Sequence, residues 1–212
     1  SLKYFSKKKC IVIGNPVSTE ISSITTKDSV GKNPTIFITG GSRGSKIINN
    51  VVEEMLPQIL SKYKLIHQTG EQDIERFRLI RAALPTMMRD KYQVFDRLYP
   101  QDMASFYRSA DVIVSRSGAN TVSEIMIMKR PSIFIPLQIS YLDEQTKNAK
   151  VAEASGLAKI INQDELNPQI LMRKINLTVD EYNNIIKKVS KFTSPDKGAS
   201  HRLVDLMAAF IK

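Results

Sequence analysis

The chain has 212 residues, of which 42% are hydrophobic and 25% are charged, and this ordinary globular composition excludes a disordered or collagen-like protein. It carries 31 Lys and Arg against 21 Asp and Glu, a formal net charge of +10 that is compatible with an anionic partner. No apolar run approaches the roughly 20 residues that span a bilayer, and the single cysteine, Cys10, excludes an internal disulfide.

The first predicted element is a short apolar run at 10–13, closed by Gly14-Asn15-Pro16. This pattern is typical of a buried strand that ends in a turn. The stretch that follows is rich in Ser, Thr, Lys and Gly, so residues 18–33 are predicted to be a linker. Residues 1–17 would then belong to a separate unit that precedes the linker.

From residue 35 onward, short β-branched runs alternate with segments of helical periodicity. In the first of these segments, 47–59, apolar residues recur at three- and four-residue spacing, which is typical of a helix packed on a sheet. Parallel strands need a crossover connection, so the alternation predicts an α/β fold, a Rossmann-like parallel sheet flanked by helices, over residues 34–192. The predicted strands are 36–39, 64–67, 92–95, 112–115, 132–135 and 158–161.

After residue 161 the chain becomes helical and basic, with predicted helices at 168–177 and 180–192. A final amphipathic helix is predicted at 200–212, within a C-terminal segment that starts at residue 193. Its apolar side carries Leu203, Leu206 and Phe210. We expect these side chains to pack either on the sheet or on a preceding domain.

The loop Gly40-Gly41-Ser42-Arg43-Gly44 joins the first sheet strand directly to a helix. Ligands of open parallel sheets bind at the carboxyl ends of the strands. Glycines let a backbone approach a ligand closely, and the free N–H groups and positive dipole end of a helix suit a phosphate. The loop therefore predicts a diphosphate cradle, although it matches neither GxGxxG nor the Walker A pattern. A tight turn that needs glycine for geometry alone explains it equally well.

Two further loops carry side chains suited to a sugar. Small residues at 117–121 precede Glu124, whose carboxylate can accept hydrogen bonds from a vicinal diol such as ribose. Before a later helix, Asp143 suits an N-cap, and Gln145 offers both a donor and an acceptor to sugar hydroxyls. The simpler alternative for Glu124 is an acidic residue that favours the positive end of a helix dipole. The simpler alternative for Asp143 and Gln145 is generic helix capping.

The sequence lacks the residue patterns of metal or nucleophilic chemistry. It has no DxD motif for a metal–diphosphate site and no GxSxG elbow, and its two histidines, His67 and His201, fit no ligand spacing. His67 ends a predicted strand, where we expect a satisfied, half-buried histidine. The sequence also lacks Trp and any interleaving of aromatic and basic residues, so we expect no nucleic-acid partner.

Taken in order, these loops resemble the C-terminal domain of the MurG-type glycosyltransferases, the family 28 enzymes of bacterial peptidoglycan synthesis. The resemblance spans nearly the whole chain and implies the C-terminal half of a two-domain GT-B fold. Residues 1–17 would then hold the last strand of the N-terminal, acceptor-binding domain. The matching motifs are Gly14-Asn15-Pro16-Val17, Gly40-Gly41-Ser42, His67-Gln68-Thr69-Gly70, Ser115-Arg116-Ser117-Gly118-Ala119 with Glu124, 131–136, and Gln145 with Asn148-Ala149.

The resemblance implies that the chain binds UDP-N-acetylglucosamine as the donor. By position in the family's motifs, the donor-binding residues are Gly41, Ser42, Arg43 and Gly44 for the diphosphate; Ala119, Asn120 and Thr121 for the phosphate and sugar, with Ser117 and Gly118 just before them; Leu98 and Tyr99 for the uracil; Glu124 for the ribose; and Gln145 for the sugar hydroxyls.

One departure from the family concerns charge near the diphosphate. The family usually has Arg after Asn-Pro-Val, whereas Ser18 stands at that position here. Arg43 occupies a position where the family commonly has Gln. Our hypothesis is that Arg43 supplies the missing charge, and an unchanged UDP affinity after charge reversal at Arg43 would refute it.

The family's reaction is an inverting transfer of N-acetylglucosamine to a lipid-linked muramyl-pentapeptide, and it needs no metal or other cofactor. The family's acceptor loop and proposed catalytic base lie in the N-terminal half, so the catalytic residues are not identified here. We expect these 212 residues to be a fragment that does not catalyse transfer unaided, and the initial Ser1 favours the same interpretation. The alternatives are the donor-binding subunit of a split lipid-carrier glycosyltransferase and a family 28 transferase with another lipid acceptor.

The implied location is the cytoplasm, at the inner face of the plasma membrane, since the sequence shows no export signal. There the basic residues Lys187, Lys188 and Lys191 are candidates for contact with anionic lipids. A solvated helix face explains the three lysines equally well.

Overall fold

A six-stranded sheet forms the centre of the protein, whose computed structural model describes residues 10–211. The strands are β1 (Thr35–Thr39), β2 (Lys64–Gln68), β3 (Tyr92–Phe95), β4 (Val112–Ser115), β5 (Ser132–Phe134) and β6 (Ala158–Ile160). Their order is β3-β2-β1-β4-β5-β6, and every neighbouring pair is parallel. The predicted Rossmann-like α/β fold is confirmed, and each predicted sheet strand lies within one residue of its observed bounds.

Helices connect the strands and complete the chain. None of those in the described part of the chain combines the length and apolarity that crossing a membrane requires. They are α1 (Thr19–Ser22), α2 (Lys46–Lys62), α3 (Ile74–Ala83), α4 (Thr86–Arg89), α5 (Pro100–Ser109), α6 (Ala119–Met128), α7 (Glu144–Ala154), α8 (Pro168–Asp180), α9 (Tyr182–Val189) and α10 (Ala199–Ile211).

Two apolar layers cover the two faces of the sheet, as is typical of parallel strands. Along β1, Ile36 and Ile38 point into one layer and Phe37 into the other, because successive side chains of a strand alternate. The first layer includes α2 and α8, and the second includes α5, α6 and α7. Since both faces are covered, the open place for a ligand is the edge where the strands end.

The strand order places a switch point between β1 and β4. The chain runs from β1 outward through β2 and β3, and then returns to β4 on the other side of β1. Thr39 and Ser115 are register partners at the carboxyl ends of these two strands. A crevice forms where the order reverses, and it is the usual ligand site of such sheets. The loops that follow β1 and β4 therefore flank the predicted binding region.

The strand predicted at 10–13 does not form in the described chain. Residues 10–18 form neither helix nor strand, and Ile11 and Val12 are 67% and 68% exposed. A strand needs a neighbour to pair with its backbone N–H and C=O groups, and no strand in the described part of the chain lies beside this segment. The domain boundary at residue 17 stays a prediction, and residues 1–9 lie outside the described residues.

The predicted linker is packed on the domain. Ser18 caps α1 by accepting a hydrogen bond from the backbone N–H of Ile21 at 3.4 Å, and the Ile21 side chain is 5% exposed. Helix α1 contacts both α5 and α6. This part of the linker therefore forms a wall of the domain.

Helix α10 does not pack on the sheet. Its Val204 and Met207 side chains are 63% and 57% exposed, and Leu203 and Leu206 are half-buried outside the two apolar layers. Of the two expected partners, the sheet is therefore not the one that Leu203 and Leu206 contact, and packing on a preceding domain stays a prediction. The Phe210 side chain lies outside the described residues.

Candidate functional site

The loop after β1 is a tight turn held against the loop after β2. The Gly44 N–H donates to the Gly41 carbonyl at 2.9 Å, and these glycines have φ values of 76° and 87°. A Cβ on Gly44 would lie 2.0 Å from the Thr69 carbonyl oxygen, and one on Gly70 would lie 2.3 Å from the Arg43 carbonyl oxygen. Glycine is needed at 44 and 70 for geometry. A Cβ on Gly41 would meet nothing within 4 Å, so the loop has open space on that side.

Two helix N-termini meet at the switch point. Helix α2 begins after its N-cap Ser45, and α6 begins after its N-cap Gly118. A Cβ on Gly118 would also meet nothing within 4 Å. The first N–H groups of a helix lack partners within the helix and lie at its positive dipole end. Together the two helix ends can bind a diphosphate through backbone N–H groups.

Arg116 adds a positive charge at the same crevice. Its guanidinium donates to the Ser45 Oγ at 2.9 Å, to the Ile135 carbonyl at 3.0 Å and to the Pro136 carbonyl at 3.3 Å. Burial lowers the pKa of Arg116, and no carboxylate among residues 10–211 forms an ion pair with it. A fixed charge without a counter-ion attracts an anionic ligand.

A cleft of about 490 Å³ opens beside α6. It brings together Glu124 and Leu98, two predicted donor-binding residues from different loops. Apolar walls with a few polar groups are typical of small-molecule sites, and here they suit a base and a ribose. The other lining residues are Ser18, Glu20, Ile21, Gln101 and Met103.

The Glu124 carboxylate is held by one hydrogen bond. The Tyr107 hydroxyl donates to Glu124 Oε2 at 2.8 Å, and Tyr107 itself is 1% exposed. Burial raises the pKa of Glu124, and the bond from Tyr107 opposes that rise. Among the described residues nothing donates to Oε1 of Glu124, so this oxygen is available to ribose hydroxyls.

Gln145 lies in the first turn of α7, where three hydrogen bonds fix it. Its Oε1 accepts from the Leu137 N–H at 3.0 Å, its backbone N–H donates to Ser140 Oγ at 3.3 Å, and its carbonyl accepts from Ser117 Oγ at 2.8 Å. Within residues 10–211 the Nε2 group has no hydrogen-bond acceptor. Gln145 can therefore donate to a sugar hydroxyl, whereas the predicted acceptor role conflicts with the bond that Oε1 already makes.

The loop before α7 has an unusual backbone. Leu142 and Asp143 have φ values of 50° and 56°, a left-handed conformation that costs non-glycine residues energy. Asp143 occupies the predicted N-cap position but makes no side-chain capping bond, because the left-handed backbone replaces the extended one that capping requires.

The remaining predicted residues lie at the same edge of the sheet. Tyr99 is 56% exposed as the N-cap of α5 and does not line the cleft, whereas its neighbour Leu98 does. Ser117 is fully buried. The residues at the loop tip and in the first turn of α6 are Ser42, Arg43, Ala119 and Asn120, which are exposed, and Thr121, which is half-buried.

Three features of the site were not predicted. Tyr107 looks like one more apolar residue on α5, and no sequence signal links it to Glu124. Helix α1 lies in a stretch whose composition indicates a linker. Arg116 lies inside a matched motif directly after β4, and that position was an available signal for a role at the site.

His67 has the predicted structural role, and it is fully buried rather than half-buried. Its Nδ1 lies 3.0 Å from the Tyr92 hydroxyl, and its Nε2 lies 3.1 Å from Asn49 Oδ1. Burial lowers the pKa of His67 to about 3. In the described part of the chain, no group of three or more His, Cys, Asp or Glu side chains could hold a metal ion.

Comparison with known proteins identifies relatives of similar sequence. The protein named UDP-N-acetylglucosamine--N-acetylmuramyl-(pentapeptide) pyrophosphoryl-undecaprenol N-acetylglucosamine transferase in Acinetobacter baumannii (strain AYE) is 30% identical, over 95% of this chain and 56% of its own length. The protein of the same name in Clostridium botulinum (strain Langeland) is 28% identical over 100% of this chain and 59% of its own length. The chain therefore spans less than two thirds of these relatives.

A solved structure and a family model also match this chain. The crystal structure of Acinetobacter baumannii MurG matches with a TM-score of 0.72 and 29% identity, over 92% of this chain and 57% of that one. The model of the glycosyltransferase family 28 C-terminal domain matches residues 35–203. The resemblance to the MurG-type enzymes and to the C-terminal half of a GT-B fold is confirmed. This chain belongs to glycosyltransferase family 28, and residues 35–203 are its C-terminal domain.

Proposed function

We propose that the chain binds UDP-N-acetylglucosamine and is the donor-binding half of an inverting glycosyltransferase. The enzyme would transfer N-acetylglucosamine to lipid I and so form lipid II in peptidoglycan synthesis. The observation that carries this proposal is the cleft that joins Glu124 and Leu98, at the same carboxyl edge of the sheet as the N-termini of α2 and α6. The names of the relatives supply the donor sugar and the acceptor.

The geometry supports a diphosphate that is bound without a metal. The N-termini of α2 and α6 and the guanidinium of Arg116 together provide positive potential at the crevice. Backbone N–H groups would donate to the phosphate oxygens. The open sides of Gly41 and Gly118 leave room for the phosphates to approach the backbone.

The nucleoside and the sugar would lie on opposite sides of the diphosphate. In the cleft, Leu98 and Met103 would contact the uracil, and Glu124 Oε1 would accept from the ribose hydroxyls. Gln145 Nε2 would donate to a hydroxyl of the sugar.

The acceptor would be bound by the part of the family's length that this chain does not span. We therefore expect the 212 residues alone to bind donor without transferring the sugar. A split transferase and a different lipid acceptor remain the alternatives, because the donor site is compatible with each. A stable co-purifying partner that carries an acceptor domain would favour the split enzyme.

Calorimetric titration tests the proposal. UDP-N-acetylglucosamine, UDP and UDP-galactose are titrated into the chain without added metal, and the first sugar nucleotide should bind more tightly than the last. Glu124→Ala should weaken binding of all three by about tenfold or more, since hydrogen bonds to a charged group are lost.

Glu54→Ala is the matched control, because it removes an exposed carboxylate from α2 away from the cleft. It should leave the three affinities unchanged. Absence of binding by every UDP species, or equal losses in the two variants, would contradict the proposal.

A further inference from the structure

A chain of hydrogen bonds connects the segment before α1 to the N-terminus of α6. The Asn15 side-chain Nδ2 group donates to Asn120 Oδ1 at 3.0 Å and to Ser123 Oγ at 3.1 Å. Ser123 in turn donates to Asp196 Oδ2 at 2.6 Å, and Asp196 Oδ1 accepts from the Asn15 backbone N–H at 2.8 Å. Four residues from three distant parts of the chain therefore form one network at the candidate site.

The carboxylate of Asp196 sets the direction of every bond in this network. An ionised carboxylate only accepts hydrogen bonds, so the Ser123 hydroxyl must donate to it. The lone pairs of Ser123 Oγ then face Asn15, which must present its NH₂ group. The second hydrogen of that NH₂ group is directed at Asn120, which must present its oxygen.

The orientation of Asn120 follows from the same argument. Because Oδ1 of Asn120 faces Asn15, its Nδ2 group must face the other way. Asn120 is exposed in the first turn of α6, and no residue in the described part of the chain accepts from its Nδ2. The free NH₂ group therefore lies at the helix end that the proposed function gives to the phosphates.

We infer that Asp196, Ser123 and Asn15 are positioning residues that orient Asn120 as a hydrogen-bond donor to the diphosphate of the nucleotide. The inference rests on the proposed function and deepens it, because it assigns a role to residues outside the ligand's reach. It also ties donor binding to Asn15, the residue before Pro16 in the segment that leads into α1.

Replacing Asp196 by Asn is the most direct test. The amide can donate to Ser123, which lets the hydroxyl, Asn15 and Asn120 all reverse, so that Asn120 presents its oxygen to the phosphates. Asp196→Asn should weaken UDP binding by about tenfold and leave uridine binding unchanged, since uridine has no phosphate. A purely structural effect would weaken both ligands alike.

A second variant keeps the network and changes only the donor. In Asn120→Asp one oxygen still accepts from Asn15, while the other replaces the NH₂ group with negative charge. UDP affinity should fall further than in Asn120→Leu, and uridine affinity should stay the same in both variants. Ser200→Ala is the control, because it removes a bond from Ser200 Oγ to the Val17 carbonyl in the same C-terminal segment and leaves the network intact.

The outcomes separate this inference from the proposed function. If the unchanged chain binds UDP but Asn120→Asp binds it with unchanged affinity, the orientation of Asn120 is refuted and the donor site stands. If Asp196→Asn lowers UDP and uridine affinity equally, the network is only structural. Failure of the unchanged chain to bind UDP would overturn the proposed function, and this inference with it.

Discussion

The hydrogen bond from Tyr107 to Glu124 gives the first prediction. Tyr107→Phe keeps the buried ring but frees the carboxylate, and it removes the bond that holds down the pKa of Glu124. UDP affinity should fall by about tenfold at neutral pH. Binding needs the ionised carboxylate, so it should weaken as pH falls through the raised pKa of Glu124, and in the variant this loss should begin at higher pH.

Calorimetry at several pH values measures the Tyr107→Phe effect. The other carboxylate that lines the cleft, Glu20, is present in both proteins and cancels in the comparison. An analogue of UDP that lacks both ribose hydroxyls is the ligand control, and both proteins should bind it alike. An equal loss with this analogue would show that Tyr107 acts on the fold rather than through Glu124.

The buried His67 predicts how stability depends on pH. The unfolded chain takes up this proton near pH 6.5, while burial and the charge of Arg76 hold the pKa in the folded protein at about 3. The free energy of unfolding should therefore be greatest above pH 6.5 and fall by up to about 1.4 kcal/mol per pH unit below it.

Urea unfolding from about pH 7.5 to about pH 5.5 checks the His67 prediction, because this range lies above the pKa values of most carboxylates. His67→Gln should flatten the slope. His201→Gln, which changes an exposed histidine, should not. A slope that persists in His67→Gln would refute the assignment.

At the scale of single residues, the sequence predicts residues that line the cleft better than residues that support them. Glu124 was predicted because its motif follows a strand end, where parallel sheets bind ligands, and Leu98 was predicted because the family resemblance implies it. Tyr107 was not, because its hydroxyl meets Glu124 only after α5 and α6 pack side by side. The donor role of Gln145 was predicted, but the bond from the Leu137 N–H depends on a left-handed loop that no motif indicates.

Among the elements, the loop after β1 contains one glycine that the fold needs, Gly44, and one that we expect ligand binding to need, Gly41. Gly44→Ala would place a methyl group 2.0 Å from the Thr69 carbonyl oxygen at a φ of 76°, so it should destabilise the fold by at least about 2 kcal/mol. Gly41→Ala meets no atom within 4 Å and should cost only about 1 kcal/mol, but its methyl group would occupy the proposed phosphate space.

Thermal melting and UDP titration distinguish the two glycine variants. Gly41→Ala should melt close to the unchanged chain and lose UDP affinity. Gly156→Ala is its control, since Gly156 has a similar φ of 83° in open space away from the crevice. Normal UDP binding by Gly41→Ala would place the diphosphate elsewhere.

The strands were predicted correctly where the apolar pattern of the sequence matches the burial of the strand in the sheet. The β-branched runs of the sheet are buried on both faces, so their apolar pattern and their structure coincide. The run at 10–13 has the same pattern but no neighbouring strand in the described part of the chain, and it forms no strand there. Helix α1 was missed because its four residues include a single buried side chain, Ile21, too little for a periodic signal.

On the scale of the whole molecule, composition alone does not identify the class of anionic partner. The net charge of +10 is compatible with several anionic partners, and membership of glycosyltransferase family 28 is the reason to propose a sugar nucleotide among them. The proposed donor site lies at the carboxyl edge of the sheet, whereas Lys187, Lys188 and Lys191 lie on α9 and just after it. These lysines are therefore available to a second anionic surface.

Binding to anionic vesicles tests whether that surface is a membrane. Lys187 and Lys188 are exposed in the last turn of α9, and Lys191 is exposed three residues further on. Each lysine near an anionic leaflet contributes about 1 kcal/mol of attraction.

Changing all three lysines to Gln should lower the vesicle partition coefficient by about a hundredfold, and salt should reduce the difference. Changing the exposed Lys32, Lys62 and Lys64 to Gln removes the same charge from other elements and should have a smaller effect. Equal losses in the two triple variants would mean that net charge alone drives binding, and the cluster at the end of α9 would then be an ordinary solvated face.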